Sequence, residues 1–108
     1  MTDLLVCKGA EQKYNAGDHL KVHCDSYTHQ GIYVGSNKVI HYADTGVVEC
    51  TLEEFSTGLS IEIVDSEVAY PRDEIVRRAR MRLGENEYNL IDNNCRIFVR
   101  WCRSGIKE

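Results

Sequence analysis

The sequence lacks several features that would assign it to a special class of protein. Its 108 residues contain no apolar run long enough to span a bilayer, which takes about 18 residues or more. The first six residues lack the basic segment and the apolar core of a secretory signal peptide. The chain shows no repeat, linker or low-complexity stretch. We therefore expect a single small cytoplasmic domain over residues 16–108, preceded by an irregular lead-in over residues 1–15.

An excess of positive charge is also absent. The chain has 13 lysines and arginines against 17 aspartates and glutamates, a net charge of −4, so we expect no nucleic acid among its partners. The arginines nevertheless gather in the last third of the chain, at positions 72, 77, 78, 80, 82, 96, 100 and 103. We interpret them mainly as solvated helix faces. The alternatives are a phosphate contact for a lipid headgroup, a peripheral membrane contact or a docking surface.

Five short segments are predicted to be strands. In the first, Leu20, Val22 and Cys24 alternate with polar neighbours, and the second is rich in β-forming residues. The segments are residues 19–24, 29–34, 38–42, 47–50 and 60–64. Gly35-Ser36-Asn37 has the composition of a turn, so the second and third strands should form a hairpin. This pattern predicts a small antiparallel sheet.

One helical turn and two longer helices complete the predicted fold. Thr51 and Glu54 fit a capping box for a turn that Gly58 ends. Pro71 suits the first position of a helix that runs over residues 72–84 and closes at Gly84. A second helix follows near the end of the chain. The prediction is an α+β domain whose small antiparallel sheet packs against two main helices.

Cys95 is predicted to open the last helix. Asn94 is a favourable N-cap residue, and Gly105 suits the position just past a helix C-terminus. Between them, apolar residues recur at i, i+3, i+4 and i+7, namely Cys95, Phe98, Val99 and Cys102. The sulfur of Cys95 should therefore point toward whatever packs against this helix.

A thiol at the first turn of a helix has two interpretations. The free N–H groups and the helix dipole favour a thiolate, whose pKa can fall well below the usual value of about 8.5, and this indicates a nucleophile. Free cysteines also fill apolar stripes, and the helix alone favours that second interpretation. The five cysteines, an odd number without a CxxC pair, predict neither a disulfide framework nor a zinc knuckle.

The four histidines are candidates for the base that a cysteine nucleophile needs. His29 and His41 flank the predicted turn, so pairing of the strands brings them close together on one face of the sheet. We expect at least one ring to stay neutral, because two adjacent imidazolium ions would repel. The alternative is a pair of exposed strand histidines. His19 and His23 alternate with apolar residues, so we expect both to point to solvent.

Four segments carry motifs that become specific in combination. They are Gly17-Asp18-His19-Leu20, residues 27–35 around His29, residues 39–43 around His41, and residues 94–99 around Cys95. In this order they resemble the lecithin:retinol acyltransferase-like family, over about residues 16–105. The resemblance implies a circularly permuted papain-like fold of the NlpC type, in which the histidines precede the cysteine. It is nearest to the short stand-alone forms of bacteria and viruses.

The resemblance also implies a catalytic mechanism. Cys95 would be the nucleophile, His29 the general base and His41 the group that orients it. Tyr27 and Asn94 would help to position the substrate and its oxyanion. Members of the family cleave acyl esters of phospholipids through a thioester and pass the acyl group to water, an amine or an alcohol. No cofactor or metal is required, and the cysteine and two histidines would lack a fourth zinc ligand.

Three functions remain open on the sequence. The first is a thiol-dependent acyl hydrolase or acyltransferase acting on lipid-like acyl esters, and an apolar cleft would favour it. The second is a cysteine peptidase or amidase of the NlpC-like group acting on a peptide-like substrate, which acidic or amide groups in the cleft would favour. The third is a non-catalytic binding or regulatory module. Arg96 and Ile97 replace the glutamate and histidine usual in the family, and Gln30 replaces a common tryptophan, which weakens the case for a bilayer substrate.

Overall fold

The computed structural model describes residues 13–88 and 94–106. Within them lie the strands β1 (His19–His23), β2 (Thr28–Gly35), β3 (Lys38–Ala43), β4 (Gly46–Thr51) and β5 (Ile61–Val64), and the helices α1 (Leu52–Ser56), α2 (Arg72–Met81) and α3 (Cys95–Ser104). The strands form one antiparallel sheet in the order β4-β3-β2-β1-β5. The predicted α+β fold is confirmed. Residues 1–12 of the predicted lead-in lie outside the described residues, and the domain boundary at residue 16 stays a prediction.

A tight turn sets the register between β2 and β3. Ser36 and Asn37 have φ angles of 54° and 65°. Two residues with positive φ match the twist of a short hairpin loop. Gly31 lies directly opposite His41. Side chains alternate along a strand, so His29 and His41 fall on the same face of neighbouring strands, as the hairpin pattern predicts.

Helices α2 and α3 cover one face of the sheet. Phe98, Val99 and Cys102 of α3 are fully buried, which confirms the predicted apolar stripe. They pack in one cluster with residues of the strands and of α2, namely Ile32, Val34, Ile40, Tyr42, Val47, Ile75 and Ala79. Thr28 and Gln30 precede Ile32 at alternate positions, so they lie on this helix-covered face as well.

A smaller core lies on the opposite face of the sheet, where Phe55 of α1 packs on Leu20, Val22, Tyr33 and Val39. The predicted capping box of α1 is present. The Thr51 hydroxyl accepts the Glu54 N–H at 3.1 Å, and the Glu54 carboxylate accepts the Thr51 N–H at 2.9 Å. The C-cap is Thr57, with φ 48°, one residue before the predicted Gly58.

Helix α2 is shorter than the sequence predicts. Pro71 is its N-cap, with an extended ψ of 162°, and not its first helical residue. The helix ends at Met81 because the following residues pair with β4. There the Gly84 N–H donates to the Val47 carbonyl at 3.0 Å, and the Val47 N–H donates to the Glu85 carbonyl at 2.9 Å. No helix within the described ranges is long and apolar enough to cross a membrane.

The arginines of the last third form solvated helix faces only in part. The exposed members, as predicted, are Arg72, Arg77, Arg80, Arg96 and Arg100. Several arginines are also engaged within the fold. Arg103 is buried and donates to the carbonyls of Gly17 and Ser66 at 2.8 and 3.0 Å. The guanidinium of Arg78 lies between two aromatic rings, 4.3 and 3.9 Å from their centroids. Ion pairs to acidic side chains engage four more, namely Arg72, Arg77, Arg80 and Arg82.

Helix α3 begins and ends where the sequence predicts. The Asn94 side chain accepts the Ile97 N–H at 3.1 Å and so caps the first turn. Gly105 follows the helix with φ 80°, and its N–H donates to the Trp101 carbonyl at 2.9 Å. The cap therefore depends on a residue that tolerates the left-handed conformation.

Gly105→Ala is expected to destabilise the protein by about 2–3 kcal/mol. Alanine at this position would have to adopt the left-handed conformation, which is unfavourable for a residue with a Cβ. Its Cβ would also lie 2.5 Å from the Tyr70 hydroxyl oxygen. Gly84→Ala is the matched control, because Gly84 has φ 91° but no atom within 4 Å of a new Cβ. We expect about 1 kcal/mol there, measured by urea unfolding.

A Tyr70→Phe background separates the two contributions. Without the hydroxyl, the cost of Gly105→Ala should fall toward that of Gly84→Ala. Equal losses for the two alanine variants in the parent protein would contradict the steric part of this prediction.

Candidate active site

A cavity of about 660 Å³ opens where β2 and α3 begin. Four of the predicted site residues line it, namely Tyr27, His29, Asn94 and Cys95. The rest of its lining comes from Thr28, Gln30, Tyr42, Ala43, Asp44, Tyr88 and Arg96. His41, the remaining predicted site residue, does not line the cavity and contacts His29 instead.

The thiol of Cys95 is held against the backbone of β2. Its Sγ donates to the Thr28 carbonyl oxygen at 3.7 Å. Backbone hydrogen bonds from Gln30 and Arg96 favour the ionised form, but burial outweighs them and raises the pKa of the Cys95 thiol. The resting group is therefore a neutral thiol. This corrects the expectation that the helix start would lower the thiol pKa, because that expectation ignored the loss of hydration.

His29 and His41 form a contacting pair of rings. Their centroids are 4.9 Å apart, and both rings also pack on Phe55, at 5.7 and 5.5 Å. Burial lowers the pKa of His29, and the charge of Asp44 partly opposes that shift. Burial, helped by His29, lowers the pKa of His41 to about 4. Both rings are thus neutral near pH 7, which agrees with the expectation that at least one would be.

Cys95 and His29 approach the cavity from opposite faces of the sheet. Cys95 packs beside the α2–α3 core, whereas the rings of His29 and His41 pack on Phe55 of the other face. The two groups share the cavity at the beginning of β2. In the described part of the chain, no hydrogen bond joins the thiol to the His29 ring.

Tyr27 and Asn94 line the cavity with different local roles. Tyr27 is 59% exposed, and its ring centroid lies 5.8 Å from that of His29. A hydrogen bond with the Cys24 thiol raises the pKa of the Tyr27 hydroxyl. Asn94 uses its side-chain oxygen to cap α3 through the Ile97 N–H. Their roles toward substrate stay predictions.

His19 is buried, so the prediction that it points to solvent is wrong. Its Nε2 lies 2.7 Å from the Gln30 Oε1, and its Nδ1 lies 2.8 Å from the Ser66 Oγ. The chain near Ser66 covers the polar face of β1, and the sequence pattern of β1 carries no signal for that distant segment. His23 is exposed as predicted and pairs with Glu62 at 3.1 Å.

Several residues of the cavity were missed by sequence reasoning. Asp44 is the most relevant, because its charge acts on His29. Extending the hairpin pairing by two residues would place Ala43 opposite His29, and Asp44 follows Ala43. The strand register alone was therefore enough to predict that Asp44 lies near His29. Tyr88 lies far along the chain, and no local pattern ties it to this cavity.

The cavity brings together a thiol, an imidazole and the backbone N–H groups of a helix start. Across residues 13–88 and 94–106, no three histidine, cysteine, aspartate or glutamate side chains are grouped as metal ligands. A thiol, an imidazole and backbone N–H groups at a helix start are the components of a cysteine-nucleophile site.

Comparison with known proteins establishes the family. The profile of the family described as lecithin retinol acyltransferase matches residues 12–108. The chain belongs to that family. Among its relatives, lecithin retinol acyltransferase of Homo sapiens is 31% identical over 85% of this chain and 55% of its own length. The protein of the same name from Rattus norvegicus is 30% identical over 82% and 54%. The chain thus spans about half the length of these relatives.

The buried histidines predict acid sensitivity. The pKa of His41 is about 4 in the fold against 6.5 for the ordinary group, so the unfolded chain binds a proton between these values that the folded chain does not. Stability should therefore fall as the pH drops from about 6.5 to about 4, by up to about 3 kcal/mol from this group. His19 and His29 act in the same direction.

His41→Asn tests this prediction by urea unfolding at several pH values. The variant should show a flatter dependence of unfolding free energy on pH than the parent protein. His23→Asn, which removes an exposed imidazole, is the matched control. An unchanged pH dependence in His41→Asn would contradict the assignment.

Proposed function

We propose that the protein is a thiol-dependent acyl hydrolase or acyltransferase in which Cys95 attacks the carbonyl carbon of an acyl ester. The observation that carries the proposal is the shared cavity of the Cys95 thiol and the His29 imidazole at the start of α3. Membership of a family whose relatives are named lecithin retinol acyltransferase supports the same reaction class. The proposal includes a circularly permuted papain-like fold of the NlpC type, in which the histidines precede the cysteine in the chain.

The proposed reaction starts from two neutral groups. Burial raises the pKa of Cys95 and lowers that of His29, so the proton stays on sulfur until the attack begins. His29 then accepts this proton as the Sγ–carbon bond forms. Because its ring packs on Phe55 and, among the described residues, makes no hydrogen bond to the thiol in the resting structure, His29 turns toward Cys95 or receives the proton through one water molecule.

Collapse of the tetrahedral intermediate completes the first half of the reaction. Backbone N–H groups around the sulfur, including that of Gln30, are candidates to stabilise the oxyanion, together with the Tyr27 hydroxyl. The leaving alkoxide takes the proton from His29, and the acyl group remains on Cys95 as a thioester. Water, an alcohol or an amine then gives a proton to His29 as it attacks the thioester. The departing sulfur takes this proton back from His29, which restores the neutral thiol and imidazole.

His41 has a positioning role in this proposal. It is buried and contacts the His29 ring, with centroids 4.9 Å apart. Its low pKa keeps it neutral, so it holds the neighbouring ring without adding a charge that would oppose protonation of His29.

The lining of the cavity bears on the substrate. Tyr27, Tyr42, Tyr88 and Ala43 supply aromatic and apolar surface, which suits the chain of a lipid-like acyl ester. Asp44 and the amides of Gln30 and Asn94 are the features that favour the alternative, an amidase or peptidase. A matched ester and amide with the same acyl group separate the two, because only the alternative predicts substantial turnover of the amide.

A peripheral membrane contact is proposed only for the arginines nearest the cavity. Most of the cluster is engaged by carboxylates, carbonyls or rings within the fold. Arg96 lines the cavity, and Arg100 lies one turn further along α3. Both side chains are exposed and are the ones that would meet a lipid surface.

Cys95→Ala is expected to lower ester turnover by at least about a thousandfold while the protein stays folded. Cys102→Ala is the matched control, because Cys102 is fully buried and burial raises its thiol pKa to about 12. Turnover per folded molecule should survive there, measured with a soluble acyl ester. A fully active Cys95→Ala protein would refute the nucleophile.

His29→Ala should lower turnover by roughly a hundredfold or more, because it removes the general base. His41→Gln should cost only about tenfold, since an amide can still contact and orient the neighbouring ring. Steady-state kinetics of both variants with one ester decide the order. The reverse order would show that the two roles are exchanged.

A further inference from the structure

A serine, a histidine and a glutamine form a chain of hydrogen bonds that the reaction proposed for Cys95 does not use. The Ser66 Oγ lies 2.8 Å from the His19 Nδ1, and the His19 Nε2 lies 2.7 Å from the Gln30 Oε1. The same three residues line a second cavity, of about 320 Å³. A hydroxyl beside an imidazole that a third group orients is the arrangement of an activated nucleophile.

The partners of Gln30 determine which way each of these hydrogen bonds runs. Its Nε2 donates to the Thr28 hydroxyl at 3.2 Å, so its Oε1 faces His19 and can only accept. His19 therefore carries its proton on Nε2. The Nδ1 of this neutral ring accepts, and the Ser66 hydroxyl donates to it. The hydroxyl thus already directs its proton at a base, as a serine nucleophile must before it attacks.

Burial keeps the His19 ring in the form that can accept a proton. The residue is only 6% exposed, and this burial lowers the pKa of His19. The charges of Arg103 and Lys21 act in the same direction, whereas the hydrogen bond with Gln30 opposes the shift. The ring is therefore neutral near pH 7, and the Gln30 Oε1 is placed to stabilise the imidazolium that forms when Nδ1 takes a proton.

The walls of the second cavity carry a net positive charge. Three cationic side chains and, among the described lining residues, a single carboxylate face it, namely Lys21, Arg96, Arg100 and Glu67. Negative charge develops on the carbonyl oxygen of an ester when a nucleophile attacks it. Cationic walls stabilise that charge, so the cavity supplies an oxyanion site beside the Ser66 hydroxyl.

Holding the chain in place does not account for the Ser66 hydroxyl. The backbone around Ser66 is already fixed to α3, because Arg103 donates to the Ser66 carbonyl at 3.0 Å and the Ala69 N–H donates to the Arg103 carbonyl at 2.7 Å. Ser66 is also only half-buried and lines the cavity, so its Oγ is within reach of a small molecule there.

We propose that Ser66 is a second acylation site, which attacks a small activated acyl ester independently of Cys95. His19 takes the hydroxyl proton at Nδ1 as the bond between Oγ and the acyl carbon forms. The tetrahedral intermediate then collapses, the bond from the acyl carbon to the leaving oxygen breaks, and that oxygen takes the proton from His19. The acyl group remains on Ser66 as an ester.

Labelling of Cys95→Ala protein with p-nitrophenyl acetate tests the proposal. This protein lacks the nucleophile proposed for the first cavity, so the outcome does not depend on the proposed function. Mass spectrometry of the digested protein maps the acetyl groups. We expect Ser66 to be acetylated at least about tenfold faster than Ser36, an exposed serine in the turn between β2 and β3. Equal rates for the two serines would overturn the proposal.

A histidine variant in the same Cys95→Ala background assigns the activation to His19. His19→Gln should lower the acetylation rate of Ser66 about tenfold or more and leave that of Ser36 unchanged, because only Ser66 loses its base. His23→Gln, which removes an exposed imidazole from the same strand, is the matched control and should keep both rates. An unchanged rate at Ser66 in folded His19→Gln protein would overturn the proposal.

A thiol in place of the hydroxyl keeps the proposal testable if His19→Gln does not fold. In Cys95→Ala protein that also carries Ser66→Cys, the introduced thiol would lie beside the His19 ring, and a neighbouring histidine favours the reactive thiolate. We expect iodoacetamide to alkylate it at least about tenfold faster than Cys24, which is half-buried like Ser66. A rate no higher than that of Cys24 would overturn the proposal.

Discussion

Packing of α3 across β2 decides where the sulfur of Cys95 lies. The fully buried side chains of Phe98, Val99 and Cys102 fix the helix on the sheet, and Asn94 fixes its first turn. The thiol consequently meets the backbone of β2 at Thr28, next to His29. The position of the proposed nucleophile is therefore a product of ordinary core packing, and loss of the large side chains of the α3 stripe would displace the thiol without changing any candidate site residue.

The same packing sets the electrostatics of the site. Removing the thiol from water raises its pKa more than the helix start and nearby backbone donors lower it. Burial also keeps His29 and His41 neutral. In a site of this kind the thiol and the imidazole do not form an ion pair at rest. Charge would develop only as the proposed nucleophile attacks. Fixed backbone dipoles would then stabilise that charge without further reorganisation.

Local sequence patterns were sufficient to predict much of the fold. β-forming residues and the turn composition of Gly35-Ser36-Asn37 predicted the hairpin and the adjacency of His29 and His41, because both depend on neighbours in sequence. Cap chemistry predicted where α3 begins and ends. Long-range contacts could not be read in this way. The burial of His19 depends on Ser66, and that of Arg103 on Gly17, so neither follows from the strand or helix that carries the residue.

The candidate site could be predicted only in part, because some of its properties also depend on long-range contacts. Its cysteine and histidines are carried by motifs, but their ionisation depends on tertiary burial, which a helix-start argument does not contain. Asp44 joins the candidate site because the turn after β3 lies beside the start of β2 in three dimensions.

The rate at which each cysteine is alkylated in the native protein shows whether Cys95 is an activated nucleophile. Limiting iodoacetamide, applied from pH 5 to 9 and mapped by mass spectrometry, needs no knowledge of the substrate. We expect Cys95 to react much faster than Cys102, with a rate that rises with pH and falls in His29→Ala protein. A Cys95 as inert as Cys102, or a rate indifferent to His29, would contradict a nucleophile that depends on that histidine.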